Sequence, residues 1–342
     1  MARRTPKQKK STFYKLLVFV VIFVAAGLFF IMQGQEETEE TVWQSGSFLR
    51  IGDTQVDVRE GMIYLDAVRA DYEQYYGSDI WKYAIDSEGN TVGTILKEQV
   101  LEQMIYIKVV CQKADELGIV LSAEELQEVD KQTAEYMQQL EGSPLLRYGV
   151  NADIVRRIYS DNLLARKTFE VSTLNVDTNI PDEDARQHRF YSIAIRNYKI
   201  DASGQRVAYE GEEVTELQAR MSELHLQAQE IDNFYKLAAS ITEDDSMLEI
   251  LGGTGDFAEE YEAELLALAT GELSEVIETT DYFYIFYCVN DYDVDATLAK
   301  KEDMISERQE AEFMRLYEGW RAASHVEVNE TEWAGMDFIS GN

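Results

Sequence analysis

The chain has 342 residues, a formal net charge of −33 and 45% hydrophobic residues, enough apolar content for folded domains and too much for a disordered chain. Residues 1–32 hold six cations (Arg3, Arg4, Lys7, Lys9, Lys10, Lys15) and no acid, which leaves −39 on the remainder. A field of that sign repels phosphate backbones, so nucleic acid is excluded as a partner. Three histidines and two cysteines, at no zinc-like spacing, imply no cofactor and no metal site.

Leu16 to Met32 reads LLVFVVIFVAAGLFFIM, without a charge. As a helix it spans about 25 Å, enough for one membrane crossing when Tyr14 and Lys15 snorkel. The basic cluster before it orients the tail (1–15) toward the cytoplasm and the acidic bulk outward, outside the cell membrane. The run is longer than a signal-peptide core, and its only small-residue cluster, Ala25-Ala26-Gly27, is followed by five more apolar residues, so an uncleaved anchor is expected. Residues 33–47 are a short acidic linker.

Beyond it, Phe48–Ile51 reads as a strand and Gly52-Asp53-Thr54 as a turn, with a helix starting near Arg59. Leu96, Val100, Leu101, Met104, Ile105, Lys108 and Cys111 recur at three-and-four spacing and predict a helix over 94–117, stopped by Gly118. Ser122-Ala123-Glu124-Glu125 is a capping box for a helix to about Leu140. Pro144 follows, and a further helix is expected over 152–171. From Arg189 the texture changes. Phe190–Ile195 and Asp281–Val289 (DYFYIFYCV) read as strands, 216–239 and 259–269 as helices and Gly252–Gly255 as a turn. Residues 296–323 form a long charged helix and Val326–Val328 a last strand. Cys111 and Cys288 sit in apolar runs and are expected to be buried thiols rather than a disulfide.

FLRIGDTQVDVREGM, then the helix ending Ala114…Leu117-Gly118-Ile119 with its serine-capped acidic successor, resembles the N-terminal chaperone domain of the SurA and PrsA foldases. VDTNIPDEDARQHRFYSIAI resembles the join to a parvulin-type prolyl isomerase domain. IDNFYKLAASITEDDS, GGTGDF and the helix ending at Gly271, Leu273 and Ser274 follow the parvulin order, so the resemblance covers nearly all of 48–330. It implies an α+β architecture: a mainly helical chaperone domain (48–187 with 297–342) and a parvulin-like domain (188–296) set before the last long helix.

Isomerisation requires a site that desolvates proline and hydrogen-bonds a twisted amide. The resemblance puts the family's two histidines at Ser192 and Tyr284, its cysteine-or-aspartate near Asp244 or Asp245, and its proline-pocket pair at Phe257 and Tyr261. Both histidines are therefore replaced, and His188 would restore only one by a slipped alignment. The resemblance implies a foldase that binds unfolded or nascent secreted polypeptides with a degenerate isomerase site. The alternatives are an active isomerase with an altered site, in which the Ser192 and Tyr284 hydroxyls bond each other, and a non-catalytic partner of a secretion or envelope assembly. Tyr72, Tyr75, Tyr76 and Trp81, beside a Gly/Ser stretch, are the candidate client-binding aromatics. Asp291, Asp293, Asp295 and Glu302 lack the glycine of a calcium loop, having Ala296 there, and Gly252–Gly255 lacks the lysine of a phosphate loop.

Overall fold

The computed structural model describes residues 42–87 and 89–336. They divide into two units: those up to Asn175 together with those from Ala311 onward, and Val176–Glu310. The expected anchor, 16–32, lies outside the described residues; among the described ones no helix is long and apolar enough to cross a membrane.

In the first unit, β1 (Ser47–Ile51) and β2 (Thr54–Asp57) form an antiparallel hairpin closed by Gly52-Asp53. Gly52 takes φ +56°, a conformation that glycine adopts without steric cost. The far edge of β1 pairs antiparallel with β9 (Val326–Val328), giving the order β2-β1-β9. Five helices follow the hairpin: α1 (Val58–Tyr76), α2 (Val92–Leu117), α3 (Ala123–Gln139), the short α4 (Pro144–Arg147) and α5 (Ala152–Ser172). The capping box at Ser122 and Glu125 forms as read from sequence, and Gly118 closes α2 in the left-handed conformation. A second box, Thr91 with Thr94, starts α2 two residues earlier than expected. Phe48, Ile63, Leu65, Met104, Ile105 and Ile107 are fully buried between the small sheet and the helices. Trp333, on the short α11 (Glu330–Gly335), stacks on Phe48 at 5.1 Å. Gly61 is what lets α1 lie so near: a Cβ there would meet Phe48 and Met336 at 3.1 Å.

The second unit opens with the short α6 (Asp182–Ala185) and carries a wholly antiparallel sheet in the order β6-β3-β8-β7. Its strands are β3 (His188–Arg196), β6 (Glu249–Gly252), β7 (Ile277–Glu278) and β8 (Tyr282–Asn290). A small hairpin, β4 (Tyr198–Ile200) with β5 (Arg206–Ala208), stands apart from it. Alternation along β3 and β8 sorts side chains onto two faces. Ile193, Ile195, Phe283 and Ile285 pack beneath α7 (Glu212–Glu230) and α8 (Phe234–Ile241). Phe190, Ala194, Tyr284, Phe286 and Cys288 face the other way, against Leu265 of α9 (Glu259–Ala267). The single helix expected over 216–239 is two, because Asn233 accepts the Lys236 amide and caps a new start. The long α10 (Val294–Ala323) begins in this unit and ends in the first. Both cysteines are free, Cys288 buried and Cys111 half-buried with its thiol donating to the Asp161 carbonyl.

Candidate peptide-binding and isomerase-like site

The face of the second unit that carries Tyr284 holds four of the six residues assigned to the isomerase-like site, Ser192, Phe257, Tyr261 and Tyr284. Register pairs Ser192 with Phe286 and Ala194 with Tyr284, so Ser192 and Tyr284 share a face but sit on a diagonal. Ser192 is 0% exposed, and its hydroxyl donates to the Met247 carbonyl at 2.5 Å. Its amide donates to the Leu248 carbonyl, so residue 192 straps down the turn that precedes β6. Tyr284 is 8% exposed, and its hydroxyl has no partner among the described residues. Burial first, then Tyr261, Tyr282 and the Asp244 and Asp281 charges, push its phenol up to about 12. The bond between the two hydroxyls that an altered isomerase would use is absent.

Tyr284 is one rung of an aromatic wall. Its ring centroid lies 5.6 Å from Tyr282 and 5.4 Å from Phe286, and Tyr261 stacks on Phe286 at 6.0 Å. Phe257 meets Phe190 edge-on at 5.7 Å. The glycines before Phe257 are dictated by packing. A Cβ on Gly252 would lie 2.5 Å from Phe257 Cζ, and one on Gly253 would strike the Arg186 carbonyl oxygen. Glu262 then fixes the loop by accepting the Gly255 and Phe257 amides. Phe257, Tyr261 and Tyr284 thus share one apolar surface.

The aspartates sit differently. Asp244 caps a one-turn helix, 245–247, accepting the Ser246 amide at 3.0 Å and hydroxyl at 2.6 Å, and Asp245 points to solvent within that turn. Behind the wall, Ser274 explains the Gly–x–Leu–Ser motif. Its buried hydroxyl accepts the Phe286 amide at 2.9 Å and donates to the Glu275 carbonyl at 2.7 Å, continuing the edge of β8 where β7 has not yet begun. His225 locks the same turn through the Ser274 carbonyl. Arranged this way, the face can desolvate an apolar side chain and offer the phenol of Tyr284 at the place of the second histidine. It holds no acid–base pair, and no group of His, Cys, Asp and Glu among the described residues is set to hold a metal ion.

In the first unit, Tyr75 and Tyr76 are 71% and 67% exposed, while Tyr72 is half-buried against both Tyr76 and Trp81. Trp81 corrects the sequence expectation: it is a core residue, its indole N–H donating to Glu73 at 2.8 Å, and it offers nothing to a client. Tyr83 and Ile85, beyond the short 3₁₀ helix Ser78–Lys82, are exposed and were missed. The signal was present in the apolar residues that follow Trp81 outside any helical repeat.

Residues 10–143 match the family model described as the SurA-like N-terminal domain. The chain is SurA/PrsA-like, and its relatives are foldases. It is 24% identical over 287 residues to the foldase protein PrsA of Clostridium botulinum strain Langeland, covering 78% of this chain and 82% of that one. Against the foldase protein PrsA of Clostridium kluyveri the identity is 22% over 262 residues, with coverages of 70% and 76%. Among solved structures, the peptidylprolyl isomerase (PrsA) of Bacillus cereus aligns at 16% identity over 73% of this chain and 94% of that one, with a TM-score of 0.33.

Proposed function

We propose that this chain is a membrane-anchored, extracytoplasmic foldase that holds unfolded secreted polypeptide without catalysing prolyl isomerisation. The observation that carries the polypeptide-binding part is the match to relatives named foldase protein PrsA along 78% of the chain. The anchor rests on the uncharged run 16–32 and the six cations around and before it. The loss of isomerase chemistry rests on the face around Tyr284. The hydroxyl at 192 is consumed by a main-chain carbonyl, and a single phenol stands where the resemblance implies two histidines. Phe257, Tyr261 and Tyr284 serve as a second apolar contact for clients, and Tyr75 and Tyr76, with Tyr72 at their edge, as the first.

The full chain is expected to leave the cis-to-trans rate of a prolyl peptide at its uncatalysed value, with Tyr284→Phe indistinguishable from the parent. A rate tenfold above background that disappears in Tyr284→Phe or Asp244→Ala would make the protein an isomerase with an altered site.

A further inference from the structure

His188, at the start of β3, stands four residues from Ser192, roughly 13 Å along the strand. It lines a cleft of about 820 Å³. The ring is 4% exposed, lies parallel on Phe190 at 5.8 Å, and has its Nδ1 sealed from solvent without a hydrogen-bond partner. Burial, then the nearby Arg186 charge, lowers its pKa and keeps the ring neutral. Facing it is the segment Leu266–Ala269, in which α9 ends, so the negative end of that helix lies at the cleft.

The charges around the cleft do not balance. Arg186 is already committed: it donates to the carbonyl and carboxylate of Asp291 at 2.7 and 3.1 Å and lies over the Tyr292 ring. Asp182 is held by Lys301 and by the Tyr292 hydroxyl. Glu183 lines the same cleft with no partner among the described residues. What remains is a free carboxylate, the negative end of a helix, an apolar strip at Leu266 and Leu268, and a flat neutral imidazole with an unmet polar atom.

We propose that this cleft takes a basic side chain of a bound polypeptide, arginine before lysine. The aliphatic stem lies along Leu266 and Leu268, and the guanidinium donates to Glu183 and the carbonyls ending α9 while its plane rests against His188. The inference rests on the reading of the protein as a polypeptide binder and adds to it a preference for basic segments. A chain with −39 outside its first 32 residues favours the same partners at long range.

The protein has only three histidines, so the full chain labelled with ¹³C-histidine gives three imidazole signals, and His188→Phe assigns one of them. Acetyl-arginine-methylamide is expected to shift the His188 signal saturably, at a half-saturation at least tenfold below that of acetyl-glutamine-methylamide. The signals of His225 and His325 stay in place. Glu183→Gln, at an exposed side chain without partners, is expected to weaken the arginine response severalfold. No saturable shift of His188, an equal response to both probes, or an unchanged response in Glu183→Gln overturns the proposal. Aggregation suppression on the same samples judges the client-binding reading separately. Its absence with the His188 shift intact sinks that reading and not the cleft chemistry, and its presence without the shift sinks the cleft.

Discussion

Lys108 is a buried cation in the core of the first unit, and Lys108→Met tests how that unit is held together. Its ammonium lies 2.5 Å from Glu60 Oε1 and 2.6 Å from Asp161 Oδ2, in a core where Glu60 is 1% exposed. The only other cation paired with Glu60 among the described residues, Arg157, is 4.0 Å away and half exposed. Removing Lys108 leaves a buried carboxylate with no close counter-charge, which costs about 3–5 kcal/mol. Burial already holds the Glu60 carboxyl above its ordinary 4.5 with Lys108 in place, and losing the lysine raises it further. An acid whose folded-state pKa is raised binds its proton more tightly folded than unfolded, so its presence lowers stability as pH rises above 4.5 toward the folded pKa. The deficit of Lys108→Met is therefore larger at pH 7.5 than at pH 5. All four tryptophans (Trp43, Trp81, Trp320, Trp333) belong to the first unit, so urea unfolding followed by tryptophan fluorescence reports on that unit alone. The double variant Glu60→Leu/Lys108→Met is expected to recover most of the loss, because Asp161 is exposed enough to rehydrate. A deficit below about 1 kcal/mol, the size of an exposed pair, would refute the reasoning, as would one that ignores pH.

Gly253→Ala forces a methyl group into the Arg186 carbonyl and is expected to cost about 1–3 kcal/mol, seen as faster amide exchange in β3 and β6. Ser274→Ala removes the acceptor of the Phe286 amide and is expected to cost about 1–3 kcal/mol, with Phe286 losing exchange protection before its neighbours in β8. Replacing Tyr75, Tyr76 and Tyr83 together by serine, all exposed, is expected to leave the urea midpoint within error and to reduce the protein's ability to keep an unfolded chain soluble.

Much of the fold was legible because local chemistry and long-range packing agree. The capping box at Ser122 needs only its own four residues, and the dense β-branched and aromatic run around Tyr284 has no other comfortable conformation than a central strand. What the sequence withheld depends on partners far along the chain. Lys108 reads as part of the apolar stripe of α2, and it does face inward, but Glu60 and Asp161 come from α1 and α5. The edge strand β6 has only four residues and an exposed side, so nothing in its pattern separates it from a loop. Trp81 reads as a surface aromatic because it follows Gly77-Ser78; its burial is decided by α2 and by Glu73, in the last turn of α1. At the isomerase-like face, the alignment placed Ser192 and Tyr284 on one surface. Only register and the turn before β6 reveal that the serine hydroxyl is taken by Met247.

The central claim is that the full chain, reconstituted through its N-terminal run, holds unfolded polypeptide. The measurement is light scattering of a chemically unfolded, aggregation-prone protein diluted into an equimolar amount of the chain in lipid nanodiscs, beside empty nanodiscs. A delayed and smaller scattering rise is expected with the chain, and a faster and larger one with the triple tyrosine variant. Scattering identical to that with empty nanodiscs would contradict it.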